Sequence, residues 1–125
     1  MNLNVSDVKT FVPAKNFEES FNFYTALGWR PDWKAEDNSL AVMELGNHRF
    51  YLQNYYQKDW AENFMLHITV DDAQAWFEHA SKVISEQGGG NVRPPKHESY
   101  GALVTYVWDP SGVLLHFAQF LSETA

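Results

Sequence analysis

The chain has 125 residues, a formal net charge of −7 at pH 7 and no cysteine. This length is typical of one domain, the negative charge disfavours binding to nucleic-acid phosphates, and the lack of cysteine excludes disulfides, thiolate nucleophiles and cysteine-type zinc sites. The first residues lack the basic flank and apolar run of a signal peptide, and no apolar run approaches the roughly 18 residues of a membrane helix. We therefore expect a cytoplasmic protein without nucleic-acid or membrane partners.

The first half of the chain predicts a strand, a helix and three further strands. Residues 8–13 predict a strand that Pro13 ends. Asn16, followed three residues later by Glu19, is typical of a helix N-cap, and Gly28 stands where that helix should end. The three further strands are predicted at residues 29–34, 40–45 and 49–55, and a polar linker at residues 57–63.

The second half repeats this pattern. Residues 64–70 predict a strand, and either Asp71 or Asp72 is placed to cap a helix whose apolar residues recur about every 3.6 positions. Three glycines at positions 88–90 predict the end of that helix. The remaining segments are predicted to be a loop containing Pro94-Pro95, a strand at 102–108, a turn at 109–112 and a strand at 113–120.

The repeated pattern predicts an α+β fold built from two βαβββ modules. The modules span about residues 4–60 and 64–121 of one domain, which we take as residues 1–125. Because neither half carries enough apolar residues for a core of its own, the two halves must pack together. We expect them to form a curved mixed sheet around a cleft, with the helices outside.

The alternation of side chains along the strands predicts which residues line that cleft. The purely apolar strand faces should pack under the helices, which leaves the mixed faces toward the cleft. A histidine on a mixed face is more often exposed or hydrogen-bonded than functional, but His67 and His116 are predicted to face one cavity. The predicted ligand-binding residues are the aromatic side chains of Phe11, Trp33, Tyr51, Tyr55, Tyr106 and Trp108, with Gln53, His67 and His116 as polar groups.

Three segments carry a resemblance to a known family. They are residues 17–28, with a helix that ends in Leu-Gly, Val70-Asp71-Asp72 before the second helix, and the turn Asp109-Pro110-Ser111-Gly112. In this order and spacing the chain resembles the vicinal-oxygen-chelate superfamily, which includes glyoxalase I, ring-cleaving dioxygenases and bleomycin-resistance proteins. The resemblance covers nearly the whole chain and implies the paired βαβββ fold.

The resemblance also implies where a metal would bind in the metal-dependent members, which use His and Glu ligands from four strands. The corresponding positions here hold Lys9, Gln53 or Leu52, Met65, and His116. A cationic lysine beside a divalent ion is unfavourable, and methionine is a poor ligand for zinc or nickel. We therefore predict no metal and no catalytic residue. The alternative is a divalent metal held by His67 and His116, with Glu44 or His48, both expected to be exposed, as a third ligand.

Because it lacks these metal ligands, the chain resembles the metal-free bleomycin-resistance branch of the superfamily most. That resemblance implies a homodimer whose clefts, lined by aromatic side chains, bind a ligand without chemistry. We predict a small-molecule-binding protein whose ligand is aromatic or cationic. Two alternatives remain open: a metal-dependent glyoxalase-like lyase, isomerase or dioxygenase with an atypical ligand set, and a partner-binding module whose cleft is filled by its own aromatic side chains.

Overall fold

The computed structural model describes residues 1–121. Within them the elements are, in chain order, β1 (Phe11–Pro13), α1 (Phe17–Leu27), β2 (Arg30–Lys34), β3 (Leu40–Leu45), β4 (His48–Gln53), α2 (Lys58–Ala61), β5 (Met65–Thr69), α3 (Ala73–Gln87), β6 (Asn91–Glu98), β7 (Ala102–Trp108) and β8 (Leu114–Phe120). The order βαβββ occurs twice, so the predicted fold class is confirmed. Residues 122–125, which the predicted domain included, lie outside the described residues.

The strands form two four-stranded mixed sheets, one from each module. Sheet A has the spatial order β1-β4-β3-β2, and sheet B has the matching order β5-β8-β7-β6. In each sheet the first strand of the module lies parallel to the last, and the other neighbours are antiparallel. The two modules are therefore topological copies of each other.

One apolar core joins the two modules on the helix side of the sheets. Trp29, which follows α1, contacts Phe50 of sheet A and Phe117 of sheet B, with ring centroids 5.9 and 6.4 Å apart. Trp76 of α3 stacks on Phe117 at 4.5 Å. Phe117 is fully buried and Phe50 nearly so, which confirms that the purely apolar strand faces pack under the helices. Because these rings come from both halves, each module completes the core of the other.

The helix ends are those that the sequence indicates. The side chain of Asn16 accepts a hydrogen bond from the backbone N–H of Glu19 at 3.0 Å, as predicted for the N-cap of α1. Asp72, the second of the two candidates, caps α3 in the same way. Gly28 follows α1 with a φ of 129°, and Gly88 follows α3 in the left-handed conformation, which glycine adopts without a steric penalty.

The prediction of a loop around Pro94-Pro95 is wrong, because this segment belongs to β6. Proline lacks the N–H that a central strand needs, but β6 is the edge of sheet B, and its register shifts between Arg93 and Lys96. Prolines are tolerated at both kinds of position. The predicted linker at 57–63 contains the one-turn helix α2, and β1 is shorter than predicted because it begins at Phe11.

The turn between β7 and β8 is bonded to the first module. Asp109 is buried, and one carboxylate oxygen accepts hydrogen bonds from the backbone N–H groups of Ser111 (2.8 Å) and Val113 (3.0 Å). The hydroxyl of Tyr24 in α1 donates to the other oxygen at 2.5 Å. Burial raises the pKa of Asp109 to about 6 against the opposing effect of these donors, and burial beside Asp109 raises the pKa of Tyr24 as well.

Ser111 adds a second link between the modules at the same turn. Its hydroxyl accepts a hydrogen bond from the backbone N–H of Lys15 at 2.8 Å and lies 3.1 Å from the hydroxyl of Ser20. Ser20 is fully buried in α1. The turn thus gives a partner to the buried hydroxyl of Ser20 and to the backbone N–H of Lys15, which fixes its position against the start of α1.

Candidate functional site

Each sheet has one face covered by helices and one open face. On β4, for example, Phe50 and Leu52 point to the helix side and are buried, whereas Tyr51 and Gln53 alternate with them on the open face. The open faces of the two sheets carry most of the predicted ligand-binding residues. The geometry of each open face therefore decides what the molecule can bind.

A row of apolar and aromatic side chains crosses the open face of sheet A. Phe11, Tyr51, Val42 and Trp33 are neighbours in register across the four strands. Phe11 and Tyr51 stack with ring centroids 4.9 Å apart. Phe11 is 42% exposed and Trp33 is 52% exposed, which is unusual for large apolar side chains within strands. Gln53 lies one row further along the same face.

Tyr55 stands apart from this row. It follows the end of β4, is half exposed and contacts Trp60 of α2, with ring centroids 6.0 Å apart. The alternation rule placed Tyr55 on the face of Tyr51 and Gln53 only because the predicted strand ran to residue 55. The structure ends that strand at Gln53.

Charged side chains form a second group on sheet A. Glu44 is 9% exposed and receives Arg30 and Arg49, the latter at 2.8 Å from Nη2 to Oε2. Arg49 also reaches Asp32 at 3.3 Å. The expectation that Glu44 is exposed is therefore wrong. Its carboxylate can be buried because two guanidinium groups neutralise its charge. Since both arginines already bind this carboxylate, it is poorly placed to bind a metal.

Two histidines lie side by side on the open face of sheet B. His67 and His116 are direct partners in the parallel pairing of β5 with β8, and their ring centroids are 5.9 Å apart. Burial and the neighbouring His67 lower the pKa of His116, which favours its neutral form. The sequence prediction that these histidines face the same space is supported by this geometry.

Tyr106 completes the neighbourhood of His116. The two rings meet edge to face with centroids 4.9 Å apart, and the Tyr106 hydroxyl donates a hydrogen bond to Glu98 of β6. Burial, with the hydrogen bond to Glu98, raises the pKa of Tyr106 to about 12. Trp108 lies one row further along, with the Arg93 guanidinium 5.6 Å from its ring centre.

Three residues of this face were not predicted. Tyr100 and Phe120 contact His67 at centroid distances of 6.3 and 5.9 Å, and the sulfur of Met65 lies 3.3 Å from Nε2 of His116. Phe120 continues the two-residue alternation from His116, so the sequence held a signal for it. Tyr100 lies in the turn before β7, where alternation gives no prediction. Alternation places Met65 on the same face as His67, but the predicted ligand-binding residues do not include it.

The predicted residues therefore form two sets on different sheets. Phe11, Trp33, Tyr51 and Gln53 share the open face of sheet A, and His67, Tyr106, Trp108 and His116 share that of sheet B. Ring contacts on the open faces join residues of the same sheet. A cavity of about 550 Å³, which was not predicted, lies between the modules; its lining includes Trp29, Phe50, Leu66 and Trp76, and His67 is the one predicted ligand-binding residue that also lines it.

A family model described as the Glyoxalase/Bleomycin resistance protein/Dioxygenase superfamily matches residues 8–117. The chain belongs to this superfamily. No curated protein matches the sequence. Within residues 1–121, no helix combines the length and the apolar composition that crossing a membrane requires.

Solved structures of this superfamily resemble the chain along almost its full length. A bleomycin-binding protein complexed with bleomycin has a TM-score of 0.74 at 17% identity, covering 94% of this chain and 100% of its own. A bleomycin-binding protein from Streptomyces verticillus, complexed with copper(II)-bleomycin, has a TM-score of 0.73 at 20% identity, with 96% and 100% covered. Lactoylglutathione lyase from Agrobacterium tumefaciens has a TM-score of 0.66 at 15% identity, with 92% and 94% covered.

The divalent metal of the superfamily's metal-dependent members does not fit the residues that stand at its positions. The Lys9 ammonium is bonded to Asp7 at 2.5 Å, Gln53 on β4 offers only a neutral amide, and the Met65 sulfur on β5 lies 3.3 Å from Nε2 of His116. Within residues 1–121, no group of three or more His, Asp or Glu side chains is placed to hold a metal ion. A lysine, an amide and a thioether do not supply the anionic oxygen and imidazole ligands of such a site.

Proposed function

We propose that the protein binds a small molecule without catalysing a reaction, and that the ligand is aromatic or cationic. The observation that carries this proposal is the pair of open sheet faces, on which aromatic side chains stay exposed beside a few polar groups. Exposed apolar surface of this kind marks interaction sites, and aromatic walls with sparse polar groups are typical of ligand pockets. We propose that neither a divalent metal nor another cofactor takes part, and the lack of cysteine supports a cytoplasmic location.

Charge favours a cationic ligand at the open face of sheet B. Glu98 lies at its edge, bonded to the hydroxyl of Tyr106, and the ring centroids of His67, Tyr100 and Phe120 lie 5.9 to 6.3 Å from one another. The faces of such rings attract cations. The net charge of −7 adds a long-range attraction for a positive ligand.

A second copy of the chain would complete the binding cleft. In one chain the two open faces are on separate sheets that share the helix-side core, so each open face needs a further surface opposite it. A two-fold axis that places sheet A of one copy over sheet B of the other covers both faces and creates two identical clefts. The exposed rings of Phe11 and Trp33 would then form the wall opposite His67 and His116. The binding of bleomycin by the similar bleomycin-binding proteins is consistent with a ligand cleft on this fold.

Three aromatic probes of nearly the same shape test the ligand class: N-methylquinolinium, quinoline and naphthalene-1-sulfonate. We expect the cation to quench the tryptophan fluorescence saturably, the neutral ring to bind more weakly and the anion not to bind. Tyr106→Leu should weaken binding of the cation by about tenfold, since a stacked ring contributes about 1 kcal/mol or more. His97→Gln, on the helix side of β6, is the matched control.

Two results would reject the proposal. One is a lack of saturable binding by any of the three probes. The other is equal affinity of wild type and Tyr106→Leu for the cation. Sedimentation equilibrium tests the dimer separately: the wild type should sediment as a dimer, and Phe11→Glu, which places a charge in the exposed row of sheet A, should sediment as a monomer. If the wild type is a monomer, the proposal that a second copy completes the cleft is wrong.

A further inference from the structure

The cavity between the modules runs along one edge of β5. Five consecutive residues, 66–70, line it. Successive side chains of a strand point to opposite faces of its sheet, so a cavity against one face is lined by every second residue. Lining by five residues in a row therefore places the cavity beside the strand. Within residues 1–121, β8 is the only neighbour of β5 in sheet B, so the cavity lies at the edge that no strand covers.

Backbone donors and acceptors of this free edge point into the cavity. The N–H of Val70 donates to the carbonyl oxygen of Ala118 on β8 at 2.9 Å. Backbone groups of successive residues alternate between the two edges of a strand, so those of His67 and Thr69, an odd number of positions before Val70, point away from β8. Each of these two residues offers an N–H donor beside a C=O acceptor. A sheet edge uses such pairs to bind a further strand.

The apolar walls of the cavity are incompletely covered. Leu66 and Ile68 pack against the core but stay partly exposed, whereas the residues that pair with them on β8 are fully buried. Trp76 of α3 is also partly exposed here, and the rings of Trp29 and Phe50 line the side that the first module supplies. Apolar walls beside a few convergent polar groups, in a volume of about 550 Å³, are typical of a small-molecule site.

The charge of Arg49, which lines the cavity, is already neutralised. Its guanidinium contacts the carboxylates of Glu44 at 2.8 Å and Asp32 at 3.3 Å. A charged ligand needs a free counter-charge to offset the hydration that it loses on burial. The cavity therefore favours a neutral ligand, whereas the open face of sheet B favours a cation.

We propose that this cavity binds a neutral, flat aromatic molecule with a cis-amide edge, as in an oxo-substituted nitrogen heterocycle. The ring lies between the apolar walls. Its N–H donates to a backbone carbonyl of the β5 edge, and its C=O accepts from a backbone N–H of His67 or Thr69. The ligand thus takes the hydrogen-bonding place of an added strand. The site lies within one chain and needs neither the second copy nor the ligand of the open faces.

Two matched probes test the hydrogen-bonding pattern in NMR titrations of the isotope-labelled protein. The first, 1-isoquinolinone, has a flat ring and a cis-amide edge, and N-methyl-1-isoquinolinone carries a methyl group in place of the N–H. We expect the first to bind saturably and the second to bind about tenfold more weakly or less, because a backbone carbonyl is left without a donor. The amide protons of His67 or Thr69 should move downfield with the first probe as they gain a hydrogen bond.

A proline on the free edge tests the backbone contact directly. Thr69→Pro removes one N–H that points into the cavity, and edge strands tolerate proline where its missing N–H faces away from the sheet. This variant should weaken binding of 1-isoquinolinone by about tenfold or more. Met65→Pro, at the first residue of β5, removes an N–H from the same edge outside the cavity and should bind as the wild type does.

Three results would overturn the proposal: no saturable binding of 1-isoquinolinone, equal affinity for the two probes, or shifts confined to the open face around Tyr106 and His116. The probe pair gives this answer on the wild type even if Thr69→Pro does not fold. Saturation with N-methylquinolinium should leave the affinity for 1-isoquinolinone unchanged. Since quinolinium binding is measured without 1-isoquinolinone, failure of the cavity leaves that titration unchanged, and the two proposals fail separately.

Discussion

The raised pKa of Asp109 predicts that the protein loses stability as the pH rises. Its pKa rises from the ordinary value of 3.8 to about 6 because the carboxyl is buried. Between these two values the folded protein holds a proton that the unfolded chain has released, so the free energy of unfolding falls as the pH rises through this window. A shift of about two pKa units corresponds to about 3 kcal/mol, which is fully present below about pH 4 and lost above about pH 6.

Asp109→Asn isolates this effect. The amide keeps an oxygen for the backbone N–H groups of Ser111 and Val113, and its NH₂ faces the hydroxyl of Tyr24, but it does not titrate. Relative to this variant, the wild type should lose about 3 kcal/mol of stability between pH 4 and pH 7.5. Urea unfolding followed by tryptophan fluorescence at several pH values gives the difference directly. Asp71→Asn, which removes the same charge at an exposed position, is the control.

The sign of the change is the critical result. If the wild type instead gains stability over Asp109→Asn as the pH rises, the donors around the carboxylate outweigh its burial, and the pKa of Asp109 lies below its ordinary value. A difference that stays constant from pH 4 to pH 7.5 would mean that folding leaves the pKa unchanged. Either result would refute the reasoning from burial.

The remaining predictions concern stability. Gly90→Ala should lower the free energy of unfolding by about 2 kcal/mol or more in thermal melts, because φ is +92° and the added Cβ would lie 2.5 Å from the carbonyl oxygen of Trp108. The control Gly46→Ala, at φ +63° with open space around it, should cost only about 1 kcal/mol. Asn16→Ala should cost about 1 kcal/mol through the lost N-cap, and an unchanged melting temperature would contradict this. Glu44→Gln should cost about 2 kcal/mol, since two arginines lose a buried carboxylate, and urea unfolding midpoints equal to wild type would reject that role.

Local chemistry made most of the fold predictable from the sequence. The capping residues and the glycines that follow the helices fixed the ends of α1 and α3, and the alternation of apolar residues fixed which face of β8 is buried. The edge strand β6 was missed because two adjacent prolines argue against a strand everywhere except at an edge or a bulge, and edge position is a property of the assembled sheet.

The candidate site was predictable only one sheet at a time. Alternation correctly grouped Tyr51 with Gln53, but it carries no information on how two sheets are placed, so the division of the predicted residues between sheets A and B could not be foreseen. The burial of Glu44 was not predicted either, because its neutralising partners Arg30 and Arg49 are on the two neighbouring strands, and the sequence pattern does not give the register of those strands. The approach of Met65 to His116 depends on a side-chain conformation, which the sequence pattern does not specify.

The parallel pairing of the first and last strand in each module has a consequence for how the chain folds. Phe11 pairs with Tyr51, 40 residues later, and His67 pairs with His116, 49 residues later. Each module must therefore close a long loop before its outermost pairing forms, and that closure costs chain entropy that no local contact recovers. Non-local pairing of this kind slows folding into the millisecond-to-second range. Until this loop closes, the backbone N–H and C=O groups of β1 and β5 are unpaired and exposed to solvent. These two short segments are therefore where a nascent chain is most prone to associate with other chains.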